Sequence, residues 1–150
     1  MTTLQGEVYE KQMFIAARPE VVFTYFTDPG KMLEWKGVEA DLDARPGGIY
    51  RVNVTGRDTA EGQYLEVTPY TRVVFTWGWQ GSPELPPGAS TVEVTLLPDA
   101  GGTMLTLRHG NLPEGQRAGH AEGWEHFLPR LAIRAGGGDP GVDPWTQPRP

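Results

Sequence analysis

Apolar and polar residues alternate along most of this chain in short runs. Val73, Phe75, Trp77 and Trp79 share one side of a run from Arg72 to Trp79, Val92, Val94 and Leu96 one side of Thr91–Leu97, and Leu105, Leu107 and His109 one side of Thr103–His109. A period of two is that of a strand, whose successive side chains point to opposite faces. The opposite parity carries Thr76, Glu93, Thr95, Thr106 and Arg108, which predicts a sheet buried on one face and wet on the other. Further strands are expected at about Glu7–Ala16, Glu39–Ala44, Ile49–Thr55 and Glu61–Thr68. Turn-forming Gly and Pro punctuate these runs, and the short connections fit antiparallel pairing, since a parallel pair needs a long crossover.

The period changes in three places. After Pro19, a residue tolerated in a first helical turn, Val22, Phe23 and Phe26 define one side of a short helix that Asp28-Pro29 breaks. A second short helix over about Gly30–Trp35 carries Met32 and Trp35 inward. From about Ala118 to Ala135, His120, Trp124, Phe127, Leu128 and Leu131 form one stripe of a long helix. Pro129 predicts a kink or an early end there, because it removes a backbone donor. Gly123 predicts close packing of that helix on the sheet. Residues 1–135 form one domain in this reading, and 136–150 a Gly/Pro-rich tail that is either loose or laid along the surface with Trp145 as anchor.

This layout predicts an α+β fold in which a curved seven-stranded antiparallel sheet wraps a single long helix. One helix is only about 10–12 Å across, too slim to fill such a trough, so a hole lined by aromatic side chains is expected. Parity nominates Tyr50, Tyr64, Phe75, Trp77, Trp79 and His109 from the sheet and Trp124, Phe127 and Leu131 from the helix, with Trp35 near the mouth. A mostly apolar wall with a few polar groups is the usual character of a small-molecule site. Each of these rings also has a plain reading as packed core.

Composition narrows the function classes. The chain has 150 residues, 38% of them hydrophobic and 21% charged, as in a globular domain. With no cysteine there is no disulfide, thiolate metal site or cysteine nucleophile. The net charge of −6, without any basic run, speaks against nucleic acid and anionic membranes as partners. No signal-peptide pattern opens the chain and no apolar run approaches a bilayer span, so a cytoplasmic location is expected. His120 and His126 lie on different helical faces, no HExxH is present, and Pro46-Gly47-Gly48 leads into a strand, which leaves no metal, phosphate or other cofactor site to nominate.

Several segments together resemble a known family: RPEVVFTYFTDPGKMLEWKG, RPGGIYRV, GQYLEVTPYTRVVFTWGW, STVEVTLLPDAGGTMLTLRHGNLP and HAEGWEHFLPRL. Over about residues 8–135 the chain is similar to the SRPBCC (START-like) superfamily, in the branch of homologues of the C-terminal domain of the activator of heat-shock protein 90 ATPase. The resemblance implies the helix-grip fold, shared with the major birch-pollen allergen, lipid-transfer domains and polyketide cyclases. It carries over no catalytic residue. Three functions are compatible with it. One is a binder of a small hydrophobic or aromatic molecule. Another is a cyclase-, hydrolase- or dehydratase-like enzyme using His109, Tyr50 or Tyr64 as acid or base. The third is an interaction module touching a chaperone. A monomer or a homodimer is expected.

Overall fold

The structure is a computed structural model that describes Leu4 and residues 7–147. Its elements run β1 (Tyr9–Ile15), α1 (Pro19–Thr27), α2 (Pro29–Met32), β2 (Glu39–Leu42), β3 (Ile49–Asn53), β4 (Thr59–Thr68), β5 (Arg72–Trp79), β6 (Ser90–Asp99), β7 (Gly102–Gly110) and α3 (Glu114–Ala135), followed by a 3-10 turn at Pro144–Thr146. The seven strands form one antiparallel sheet in the order β1-β7-β6-β5-β4-β3-β2. This is the helix-grip arrangement that the resemblance implies.

Register confirms the parity. Val73 faces Val94 and Phe75 faces Val92 across β5–β6, while Val92 faces His109 and Val94 faces Leu107 across β6–β7. The row continues to Trp77, opposite Ser90. The other face is less wet than expected. Glu93 is buried there because the Arg72 and Arg108 guanidinium groups close over it at 3.5 Å each, and Glu66 and Glu10 flank them at 3.2 Å. The aliphatic stems of these arginines cover apolar surface while their heads stay hydrated.

Short-range chemistry fixes the entry to the site. Asp28 ends α1 and caps α2, its carboxylate accepting from Lys31 N–H at 3.3 Å. Gly37 follows with φ +90, and a Cβ there would lie 2.7 Å from Val52 Cγ1 and 2.9 Å from Asn53 O. Only glycine allows both the left-handed turn and this close approach. Val38 N–H then bonds Asn53 O at 2.8 Å, pinning the segment to the end of β3.

The long helix begins earlier than expected and keeps its expected end. It starts at Glu114, and it runs through Pro129 to Ala135 without stopping. Pro129 is exposed, so solvent can hydrate the carbonyl it leaves unpaired, while buried Leu128 and Leu131 hold the helix on the core. The predicted stripe of His120, Trp124, Phe127, Leu128 and Leu131 is its buried face.

Through Gln147 the tail is docked. Arg130 donates to Pro140 O at 3.1 Å and Gly141 O at 2.9 Å, and Arg57 to Trp145 O at 2.9 Å. Trp145 stacks on His126 at 3.9 Å with 6° between the rings, and Asp143 accepts from His126 Nε2 at 2.8 Å. Residues 148–150 lie outside the described part.

Candidate functional site

The nominated rings separate into two groups. Tyr50 stacks on Phe75 at 4.1 Å, and Tyr64 packs edge-on against both. The Tyr64 hydroxyl donates to Phe26 O at 2.8 Å, and the Trp35 indole N–H to Tyr25 O at 3.1 Å. With Leu131 these residues fill the middle of the trough and are essentially inaccessible. Burial pushes the Tyr50 and Tyr64 phenols well above their ordinary range. Trp35, expected near the mouth, is thus a core residue; the next residue, Lys36, takes the place at the wall.

The second group surrounds a pocket of about 310 Å³ at one end of the trough. Trp77 and Trp79 come from β5, Trp124 and Phe127 from α3, and Trp145 from the tail. Val54, Thr55 and Asp58 contribute the turn after β3. Gly119 and Gly123 lie one helical turn apart on the α3 side, and a Cβ on either would meet nothing within 4 Å. Gly123 therefore does not bring helix and sheet close together; it keeps space open.

Two histidines tie the indoles together. His120 Nε2 accepts the Trp79 indole N–H at 3.0 Å, and its Nδ1 lies 2.7 Å from Gln116 O, so Nδ1 carries the proton. Behind the wall, His109 Nδ1 accepts the Trp124 indole N–H at 3.0 Å. Ser90 Oγ donates to Trp77 O at 2.7 Å, so its 2.8 Å contact with His109 Nε2 is donated by the imidazole. Each histidine is held neutral with both ring nitrogens committed. Burial pushes both below their ordinary value, and the neighbouring positive charge of Lys36 adds to this. Neither imidazole has a free lone pair for a substrate proton. His109, nominated from parity, acts as the post that orients Trp124 and does not touch the pocket.

Lys36 is the pocket-wall residue that sequence reasoning missed. It is 3% exposed and lines the pocket. Its ammonium sits 4.2 Å from the centre of the Trp77 ring and 4.3 Å from that of Trp124, with Phe127 and Trp35 at 5.6 and 5.7 Å. Burial lowers its pKa from 10.5 to about 7. Among the described residues no carboxylate pairs with it. The aromatic faces stabilise its charge, but less than water would. No group of His, Asp or Glu able to hold a metal ion occurs among the described residues.

Solved structures carry the same fold. An AHSA1-like protein from Rhizobium etli is 46% identical, with 99% of this chain and 95% of that one covered and a TM-score of 0.75. CalU16 from Micromonospora echinospora is 26% identical over 87% of this chain and 75% of its own, with a TM-score of 0.67. An HSP90 activator from Plasmodium falciparum is 24% identical over 87% and 97%, with a TM-score of 0.73, a likeness of fold alone. No curated protein matches the chain. Residues 16–136 match the family described as Activator of Hsp90 ATPase homolog 1-like protein, and the chain belongs to that family, within the SRPBCC superfamily.

Proposed function

We propose that this protein binds a small, flat, largely apolar molecule in the Trp77–Trp124–Trp145 pocket and releases it unchanged. One observation carries the reading: the helix that closes the pocket presents two glycines to it, one turn apart, with open space where their side chains would be. A glycine inside a helix costs about 1 kcal/mol relative to alanine. Gly119 and Gly123 offset that with no close packing, since nothing lies near their missing side chains. What they provide is room beside indole faces. The volume sits at the lower end of the roughly 300–1,000 Å³ found for ligand pockets, which suits a molecule of two or three fused or linked rings.

The enzymatic reading is disfavoured by the hydrogen bonds. A general acid or base needs an uncommitted proton or lone pair within reach of substrate; His109, His120 and Tyr64 have none to spare, and Lys36, the uncommitted amine of the pocket, has no second acid–base group paired with it among the described residues. Among the described residues no helix is long and apolar enough to cross a membrane.

The test uses 1-naphthamide, a neutral two-ring probe, followed by tryptophan fluorescence and calorimetry. Wild type should bind it with quenching. Gly123→Leu, which fills the pocket from the helix side, should lose at least about tenfold in affinity while its melting temperature holds or rises, because leucine is the better helix former. Equal affinity in the two proteins would remove the pocket from consideration.

A further inference from the structure

We infer that the ligand is an acid: an aromatic molecule carrying one anionic group, a carboxylate or an acidic phenolate, that pairs with Lys36 Nζ inside the indole cage. This rests on the binding reading above and adds the chemical class of what is bound. The argument begins with what a buried amine requires. A lysine head withdrawn from water loses its hydration, and proteins normally compensate with a carboxylate or with carbonyl acceptors. Lys36 has neither: no ion pair and no hydrogen bond engages its Nζ among the described residues, only the faces of Trp77 and Trp124. Trp77 adds a second donor without an acceptor, since its indole N–H is buried and unpartnered. The Trp77 nitrogen is sealed from the pocket, so the amine alone calls for a ligand that brings an acceptor, and its positive charge calls for an anion.

The groups around Lys36 do not supply that charge. From β7 and α3, His109 and His120 face it as neutral imidazoles. From the turn after β3, Asp58 is exposed at the outer edge of the pocket and accepts from Thr55 Oγ1 at 3.1 Å. From the tail, Asp143 accepts through Oδ1 from His126 and from Trp145 N–H at 2.9 Å; its Oδ2 is buried without a partner, yet no ion pair joins it to Lys36 among the described residues, and Arg130 of α3 is spent on backbone carbonyls. An incoming anion thus finds a single cation at depth. The aromatic walls fix the rest of the molecule as flat, and Asp58 at the edge disfavours a second negative charge there.

Protonation follows from the same geometry. Without ligand the amine is half charged near pH 7. A bound carboxylate favours the ammonium, so above that pH each molecule bound takes up close to one proton.

The experiment compares 1-naphthoate with 1-naphthamide, equal in shape and different in charge, on wild type and on Lys36→Met. At about pH 6 wild type should prefer naphthoate by at least about tenfold. The preference should shrink at about pH 8.5, and calorimetry in two buffers should show proton uptake for naphthoate only. Lys36→Met should bind the two probes alike. If wild type takes naphthamide as well as or better than naphthoate at the lower pH, the acid inference falls and the pocket stands. If neither probe binds, both fall. The wild-type pH series decides the matter even if Lys36→Met folds poorly.

Discussion

Aromatic rings line the concave face of the sheet from its middle to one end, yet the two regions have opposite properties. In the middle, Tyr50, Phe75, Tyr64 and Trp35 are stacked or edge-packed, and the Tyr64 and Trp35 donors are satisfied. At the other end, Trp77, Trp79 and Trp124 surround open space, an amine without a counter-ion and an indole N–H without an acceptor. Both groups come from the same strand parity, so the strands do not decide which ring is core and which is wall. The cover decides it. Tyr64 meets the end of α1 through Phe26, which leaves no gap, whereas α3 offers glycine above the pocket.

The comparison breaks first at its packed end. Phe75→Ala should cost about 3–5 kcal/mol, the usual range for truncating a buried phenylalanine, read from urea unfolding. Trp79→Ala should cost clearly less, although the side chain removed is larger, because Trp79 is only partly buried. Equal losses would mean that the pocket end is as tightly packed as the core and that the division is false.

Stability against pH sharpens the contrast next, because the strained groups sit at the pocket end. Lys36 holds its proton less tightly in the folded chain, about 7 against 10.5. Between those values the unfolded chain binds more protons, so stability rises with pH, with a slope approaching about 1.4 kcal/mol per pH unit. His109 and His120, also lowered, act in the same direction below their ordinary value of 6.5, and stability falls further as the solution turns acid. The phenols of Tyr50 and Tyr64 are raised instead, so stability falls again above pH 10. The maximum should therefore lie on the alkaline side, near pH 9–10. Lys36→Met should remove the rise between pH 7 and 10 and be more stable than wild type at pH 7, as measured by unfolding across a pH series. An unchanged slope in that variant would show that Lys36 is solvated.

Much of the fold was legible, and for a reason visible in particular elements. The alternation from Val73 to Trp79 marks β5 at its observed bounds, and the apolar stripe from His120 to Leu131 is the buried face of α3. Regular burial writes a period into the chain. The start of α3 was hidden by Gly115, which reads as the end of a turn, and Pro129 suggested a break that tertiary packing overrides. The pocket was half legible: strand parity and the helical stripe placed Trp77, Trp79, Trp124 and Phe127 on its wall but could not separate them from Tyr50, Phe75 or Tyr64. Lys36 left no local signal at all. A lysine after a short helix ordinarily points to water, and its burial arises from the Gly37 turn against β3 and from α3 passing over it, contacts remote in sequence.

The smallest effect on stability belongs to Trp145. It lies beyond the 16–136 span that the family match covers, yet it forms part of the pocket wall. Its ring is held by the stack on His126 and by an edge contact with Phe127 at 5.5 Å, and its carbonyl by Arg57. Removing such a ring from a half-buried site costs about 0.5–1.5 kcal/mol through the lost aromatic pair, because no sealed cavity is left behind. Trp145→Ala should therefore melt only slightly earlier than wild type. Its affinity for naphthamide should nevertheless drop several-fold, since one of the four indole walls is gone. That pairing of small stability loss with larger binding loss is the reverse of what Phe75→Ala should show per unit of destabilisation. An unaltered naphthamide affinity would confine the tail to a fastening role and leave the pocket to residues within the 16–136 span alone.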